Sequence, residues 1–496
     1  MAAERNFASL HAGDRVDAID LYSLAARASP HWRKRDKMIE AVNRKTARFV
    51  MPAINGRNIT GDIHLDRRDV PSIPATYDAL RAYELEGAKI GLGVLSSVSS
   101  LTTVQCPRST SEYGPVLESA WRSAHLSQRV GRAVAAMGYH RVYIFNGRHC
   151  YSRPFCDLLE KSSEVVRYEQ GSAGNRYIAA PGTIYSADVW ANLIRAHPFD
   201  ETAGNAFFQE RLAKSPQSEV SFYTAIQEKD SLPAGIDAGK FVVFFPSSTD
   251  EMLAIGDEPP YGSFRNQQEI AAVLSNACAA HGMQLVLRLH PHLRFKHASW
   301  RREWDFDDLR RRRVIVVEPA DPHDSYALAR SARCVITTGS SIGIEAAYLG
   351  VPSAVVGRWV GGRLGATVEL DTAEEIGAFV ADPRSPPNAR AGALLYGSFY
   401  KSGGTLLPEF DVGSHPNFAR INGRIVDPVR FAVQKLRFFF RPPPADPAAL
   451  DVRSGMQAGR VLLPPGTDYS SAYGRAARSG GTKSRLASTE KSRAGE

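Results

Sequence analysis

The stretch TTGSSIGIEAAYLGVP, residues 337–352 of a 496-residue chain, gathers the residue types best suited to holding an anion. Thr337, Thr338 and Gly339 leave a strand-like run, and Ser340 and Ser341 open a helix-like one. Hydroxyls and backbone N–H groups at such a junction can bind a phosphate. Gly343 permits close approach of a ligand or of a neighbouring strand, and Glu345 stands one helical turn on, placed to accept hydrogen bonds from ribose hydroxyls. The plainer alternative makes Ser340 a helix cap and Glu345 a solvated helix residue. His290 and Pro291 end another strand-like run, two residues after Arg288. A histidine there can donate to a phosphate oxygen while the proline fixes the turn, although a His-Pro pair taken alone is more often structural. Ser247 and Ser248, within FFPSSTDE at 244–251, could hold a phosphate or a sugar hydroxyl, and Asp250 and Glu251 could simply cap the next segment.

The first half offers a second group. Asn146, Gly147 and Arg148 follow a strand-like run, where Arg148 could grip a carboxylate or phosphate by a two-pronged contact or be an exposed turn residue. Glu169, in YEQGS, holds the corresponding position after the next run. A carboxylate facing a cleft between domains can take a proton from an attacking hydroxyl; a surface turn residue is the alternative.

The elements that must position these residues can be read from the apolar pattern. Strand-like runs at 90–98, 140–148 and 163–168 and helical stretches at 118–137 and 187–226 fill the first half. After a Gly-, Pro- and Asp-rich linker at 230–239, strands are expected at 241–248, 284–292, 313–319, 333–341 and 352–358, separated by helices at 266–281, 325–331 and 342–349. Continuous Val, Ile and Leu strands alternating with helices predict parallel sheets covered on both faces. The expected fold is α/β, two Rossmann-like domains at 81–229 and 240–412 facing a cleft, with ligands at the carboxyl ends of the strands. Residues 1–80 read as a helical extension, 413–452 as a helical segment and 453–496 as a disordered basic tail poor in large apolar residues.

Composition narrows the class. With 43% hydrophobic and 23% charged residues the chain is an ordinary globular one, which excludes collagen-like, coiled-coil and wholly disordered classes. The net charge is +9, of which +4 comes from six Lys/Arg against two Glu in residues 470–496. The rest is only mildly basic, which suits anionic ligands and does not indicate nucleic acid. Five scattered cysteines do not form a disulfide framework, and the six-residue spacing of Cys150 and Cys156 is not that of zinc ligands. Asp305-Phe306-Asp307 has the spacing of a metal-binding carboxylate pair but abuts charged helical sequence, and the arginines at 310–313 read as a solvated helix end. No metal site is expected, and no Walker loop, GxSxG elbow, HExxH or EF-hand pattern occurs. The N-terminus lacks the apolar core of a secretory signal and no run reaches a membrane span, so a cytoplasmic location is expected. Residues 429–444, VRFAVQKLRFFFRPPP, interleave basic residues with Phe; they read first as core-covering helix and second as a segment lying on a membrane surface.

Three short signatures, Glu169-Gln170-Gly171, His290-Pro291 and Ser340-Ser341, together with the blocks FNGR, FFPSSTDE and GSSIGIEAAYLGVP, give residues 80–410 a resemblance to a known group. The chain resembles bacterial capsule-polysaccharide biosynthesis proteins, glycosyltransferases of the two-Rossmann GT-B type. Within that group it is similar to transferases that use CMP-activated acidic sugars such as Kdo and sialic acids, although Gln170 stands where the sialyltransferase signature often has Asp. The resemblance implies an acceptor domain followed by a donor domain, with Glu169 as general base. It also implies that His290, Ser340 and Ser341 hold the donor phosphate and stabilise departing CMP, without metal or cofactor. Its implied partners are a nucleotide-sugar and an oligosaccharide or glycolipid acceptor; outside the resemblance, the basic tail and residues 429–444 could keep the protein near the inner membrane, where lipid-linked acceptors are made. Other readings of the same architecture are a teichoic-type glycerol- or ribitol-phosphate transferase with a CDP donor, a non-catalytic nucleotide-sugar-binding scaffold, and a nucleotide-sugar 2-epimerase. The epimerase would need further acid/base carboxylates.

Overall fold

The apolar run at 90–98 reads as a strand, but the chain coils it into a helix. After a short helix α1 (Tyr77–Arg81), α2 spans Ile90–Thr102, and its residues from Ile90 to Ser99 are all buried. A helix covered on every side loses the polar stripe that would betray its period, so the sequence pattern cannot separate it from a buried strand. Gly91 is the packing signal: a Cβ there would lie 1.6 Å from the Leu80 carbonyl oxygen, so only glycine lets α2 cross this close to α1.

The computed structural model describes residues 17–19, 59, 63, 69–171, 176–183, 186–215, 224–249 and 261–406, and the backbone of 410–411, 420–421 and 424–425. All belong to one compact unit, Met1–Gln434. Of the expected helical extension 1–80 only 17–19, 59, 63 and 69–80 are described, and Asp250 and Glu251, the segment 429–444 and the tail 453–496 lie outside the described residues. Among the described residues no helix is long and apolar enough to cross a membrane.

The first sheet rests on α3 (Pro115–Ala135) and α4 (Arg153–Leu159). Its strands are β1 (Arg141–Phe145), β2 (Glu164–Gln170) and β3 (Arg176–Pro181). β1 and β2 are parallel, with α4 in their crossover, and β2 and β3 are antiparallel, Gln170 opposite Tyr177. This sheet is therefore mixed, where the sequence leads one to expect parallel strands throughout. β2 also runs on through Glu169 and Gln170, residues expected in a turn, because they pair with Ile178 and Tyr177 of β3. Ile144 and Val165 pack with Leu126, Val130, Phe155 and Leu159 of the two helices.

Helices α5 (Ala187–Ala196) and α6 (Glu201–Leu212) lead towards the second sheet. There β4 (Phe241–Phe245), α7 (Gln267–Ala280), β5 (Gln284–Arg288), α8 (Phe306–Arg311) and β6 (Ile315–Val317) follow in order. They continue as α9 (Ser325–Ser331), β7 (Cys334–Thr337), α10 (Ile342–Tyr348), β8 (Ser353–Val356), α11 (Val360–Arg363), β9 (Val368–Leu370), α12 (Ala373–Ala381) and α13 (Ala389–Ser402). The strand order is β6-β5-β4-β7-β8-β9, parallel throughout, the order of a Rossmann-like sheet. β4 shows why these strands read as unbroken apolar runs. Val242 and Phe244 face a core formed with Ile270, Leu274, Ile376 and Phe379, whereas Phe241, Val243 and Phe245 face another with Tyr326, Leu328, Ile342 and Ala346. The four inner strands β5, β4, β7 and β8 are buried on both faces, so alternation in polarity disappears in them. Finally β10 (Thr405–Leu406) returns to pair with β3 of the first sheet.

Candidate active site at the carboxyl ends of the two sheets

At the end of β1, Asn146 adopts a left-handed conformation with φ of 64°, which Asn tolerates better than most residues. Its N–H donates to the Tyr168 carbonyl at 2.8 Å, anchoring the turn to β2. The side chain then serves the neighbouring carboxylate: Nδ2 donates to Glu169 Oε2 at 2.5 Å, and the Gln170 N–H donates to Glu169 Oε1 at 3.0 Å. Asn146 Oδ1 accepts from the Arg148 N–H at 3.3 Å, so one amide ties Glu169 to the Arg148 turn. Between them Gly147 lies flat over Arg167; a Cβ there would come within 2.6 Å of the Arg167 Nε. Arg167 is in turn paired with Glu160 at 2.5 Å.

The Arg148 turn leans on α2. Arg148 Nη1 donates to Ser96 Oγ at 3.3 Å, and the Cys150 N–H donates to Ser97 Oγ at 2.9 Å. His149 lies 3.5 Å from the same Ser97 oxygen and stacks on Tyr151 at 5.7 Å. Burial, with the Arg148 charge adding to it, pushes the His149 pKa down to about 3; burial, reinforced by Cys150 and Glu169, pushes the Tyr151 phenol up to about 12. Near neutral pH both rings are therefore uncharged.

On the second sheet, β4 and β7 are neighbours at the point where the strand order reverses, the place where open α/β sheets bind ligands. Thr338, Gly339, Ser340 and Ser341 leave β7 there, and Ser247 to Thr249 leave β4. Gln267 of α7, fully buried, joins the two turns. Its Oε1 accepts from the Ser247 N–H at 2.9 Å and from Thr338 Oγ1 at 2.5 Å, and its Nε2 donates to the Ser247 carbonyl at 3.0 Å and to Glu303 Oε1 at 3.1 Å. Thr249 Oγ1 donates to the other Glu303 oxygen at 2.5 Å, and burial raises the pKa of Glu303. The hydroxyls expected to hold a ligand are engaged in this network: Ser247 Oγ donates to the Thr338 carbonyl at 3.0 Å, and Ser248 Oγ accepts from Lys296 Nζ at 2.7 Å. Ser247 and Ser248, read as holders of a phosphate or sugar hydroxyl, also brace this turn.

The other expected site residues of this sheet have distinct places. His290 caps the turn that Pro291 begins, with Nδ1 accepting from the His292 N–H at 3.2 Å; an imidazole that accepts at Nδ1 carries its proton at Nε2, where it is a donor. Arg288, expected at the nucleotide, is instead buried and donates to the Glu318 carbonyl at 2.6 Å and to Ser325 Oγ at 3.3 Å, holding the loop between β6 and α9. Burial pushes its pKa down to about 10. Glu345, expected at a ribose, is 2% exposed and pairs with Arg211 of α6 at 2.9 Å. Gly339 has a φ of 102°, and Gly343 lets α10 sit on the sheet: a Cβ there would lie 3.2 Å from Thr337 Cγ2 and 3.3 Å from Ser353 Oγ. Of the two partners foreseen for Gly343, the neighbouring strands are the ones present.

Helix α2 links the two edges. Ser96 and Ser97 meet the Arg148 turn, and about six residues further, roughly 9 Å along the axis, Thr103 Oγ1 accepts from the His297 N–H at 3.0 Å. Just beyond, the Gln105 N–H donates to Ser299 Oγ at 2.9 Å and Gln105 Nε2 to Ser248 Oγ at 3.4 Å, and Glu112 pairs with Arg302 at 2.5 Å. The Arg148 turn is therefore fixed to the middle of α2, and the β4 turn to Gln105 just past its C-terminal end. Gln105, Arg211, Gln267, Lys296 and Glu303 were not singled out in the sequence, because what marks them is a partner far away along the chain.

No family model matches the chain, and no curated protein does. Among solved structures it is similar to the KpsC beta Kdo 2,7 transferase of Thermosulfurimonas dismutans, at 18% identity over 55% of this chain and 80% of that one, with a TM-score of 0.32. The KpsC beta Kdo 2,4 transferase of the same organism matches at 16% identity over 52% and 78%, with a TM-score of 0.34. A UDP-GlcNAc 2-epimerase of Methanocaldococcus jannaschii matches at 12% identity over 62% and 95%, with a TM-score of 0.29.

Proposed function

We propose that the protein is a glycosyltransferase of the GT-B type, moving a sugar from a nucleotide-activated donor to a surface polysaccharide or lipid-linked acceptor. CMP-Kdo, or another CMP-linked acidic sugar, is the donor that the sequence signatures favour. The observation that carries the reading is the pair of edges joined by α2: a carboxylate oriented by Asn146 on one, and Thr338 to Ser341 at the strand-order reversal on the other. In this reading Glu169 takes the proton of the acceptor hydroxyl as its oxygen bonds to the anomeric carbon. The bond from that carbon to the phosphate oxygen breaks, and its electron pair leaves with the nucleotide. His290, Ser340 and Ser341 stabilise the charge that accumulates there, which is where fixed donors contribute most to the rate. Arg148 would hold the sugar carboxylate. The chemistry asks for no cofactor besides the donor. The enzyme would act in the cytoplasm, at the inner membrane where lipid-linked acceptors are made.

Titration calorimetry with CMP, CDP, UDP and GDP, followed by turnover of CMP-Kdo and CMP-sialic acid, tests the reading. Glu169→Gln should keep nucleotide binding and lose turnover by at least about a hundredfold. Preferential binding of UDP or GDP would replace the donor class. A phosphodiester product from a CDP donor would make the protein a teichoic-type phosphotransferase, and nucleotide binding without any turnover would make it a scaffold.

A further inference from the structure

We infer that Arg211 is a positioning residue for the departing phosphate, acting by turning the Ser341 hydroxyl into a dedicated donor; the inference rests on the transferase reading above. Arg211 lies on α6, far from Ser341 in sequence, yet its Nη2 donates to Ser341 Oγ at 2.9 Å and its Nε to Glu345 Oε1 at 3.0 Å. Arg211 and Glu345 are 5% and 2% exposed.

The direction of the Arg211–Ser341 bond is not ambiguous, because a guanidinium has donors and no acceptor. Ser341 must accept, and the single proton of its hydroxyl must then go elsewhere. Among the described residues no acceptor takes that proton, and the half-buried Ser341 side chain stands beside Ser340 at the β7 edge. A phosphate oxygen arriving there meets an O–H already fixed in its rotation. The same O–H is polarised by a cationic donor on its own oxygen, which strengthens it as a donor. Glu345 keeps the guanidinium in place and neutralises it, so the effect on the ligand is directional rather than one of net charge. Without Arg211 the hydroxyl would turn to a backbone carbonyl of the preceding turn, as serines near helix starts readily do. Glu345, read in the sequence as a ribose ligand, acts on the phosphate at one remove.

The test compares each nucleotide with its own nucleoside: CMP with cytidine, UDP with uridine and GDP with guanosine, titrated against the full chain. The ratio of the two affinities isolates the contribution of the phosphate. Arg211→Lys keeps a charge for Glu345 but lacks the second arm that reaches Ser341. It should lower the ratio about tenfold, the usual scale of one charge-assisted hydrogen bond, and leave nucleoside affinity unchanged. Ser341→Ala should lower the ratio in the wild-type background and add nothing in the Lys background. If Arg211→Lys does not fold, Arg211→Gln combined with Glu345→Gln removes both charges at nearly constant shape and should show the same loss. A ratio unchanged in these variants, or an equal effect of Ser341→Ala in both backgrounds, overturns the inference and leaves the transferase reading intact. A wild-type protein that binds none of the nucleotides overturns both.

Discussion

Arg288 and Arg148 both stand at or just past the end of a parallel strand, and the sequence gives them similar prospects as ligand residues. Their surroundings separate them: Arg288 is buried against the Glu318 carbonyl and Ser325, whereas Arg148 leans on Ser96 beside Glu169. Arg288→Met should therefore cost stability, about 2–4 kcal/mol through carbonyls left unpaired, visible in urea denaturation, without selectively weakening the phosphate contribution to nucleotide binding. Glu345 was misread for a related reason. Its partner Arg211 lies on another helix, and nothing in the local pattern distinguishes a buried acid from a solvated one. What was legible in sequence is local, such as the turn after β1 at Asn146 and Gly147 and the turn that Pro291 begins after His290. Titration supplies a further prediction at this scale. Burial, with a nearby arginine contributing, lowers His149 to about 3 and His125 to about 4, below the value of about 6.5 for an unfolded chain. As pH falls from about 6.5 towards 4 the unfolded chain takes up protons that the folded one refuses, so stability falls. In His149→Gln the slope of unfolding free energy against pH should be shallower by about 1.4 kcal/mol per pH unit near pH 5, measured by urea denaturation at stepped pH. An unchanged slope would mean that His149 is protonated in the folded state.

Elements were legible where burial on both sides and strand length agreed. The strands of the second sheet are short runs of Val, Ile, Leu and Phe between helices, and the sequence places each of β4 to β8 within a few residues of its observed bounds. α2 failed the same test because a helix buried on all sides shows an equally unbroken apolar run. β3 and β9 escaped notice because each is short and mixed in character. The packing of α10 on the sheet carries the prediction at this scale. Gly343 faces Thr337 and Ser353, where a Cβ would already press at 3.2–3.3 Å, so the branched side chain of Gly343→Val should push α10 off the strands and cost about 1–3 kcal/mol. Because Ser341 opens the same helix, nucleotide affinity should fall with stability in this variant. Phe244→Ala, in the core on one face of β4, should cost about 3–5 kcal/mol while leaving the affinity of the remaining folded protein unchanged. Urea denaturation and calorimetry on the two variants separate a lever on the site from a general loss of core.

At the scale of the whole molecule, the sequence divides at the Gly-, Pro- and Asp-rich linker of 230–239, while the packing crosses it. Ala191 and Ile194 of α5 and Phe207 and Phe208 of α6 share one core with Ile344, Tyr348, Val360, Leu364, Leu394, Tyr396 and Phe399, all beyond the linker. Phe208 stacks on Tyr348 at 4.3 Å, and Arg211 completes the join through Glu345. Burying a large apolar side chain is worth about 1.5–3 kcal/mol, so Ile194, Phe207 and Phe208 together amount to a substantial part of the stability typical of a domain. A fragment of residues 240–402 should therefore expose Tyr348, Val360, Leu394 and Phe399, bind a hydrophobic dye and aggregate. A fragment of residues 187–402, which brings α5 and α6 with it, should remain monomeric and unfold in one cooperative transition. Only the longer fragment should also keep the Arg211 contact at Ser341, and with it any nucleotide binding that this half sustains. Cooperative unfolding of the shorter fragment would mean that α5 and α6 draw their stability from the first sheet, leaving Arg211 to reach the donor edge across a boundary rather than from within it.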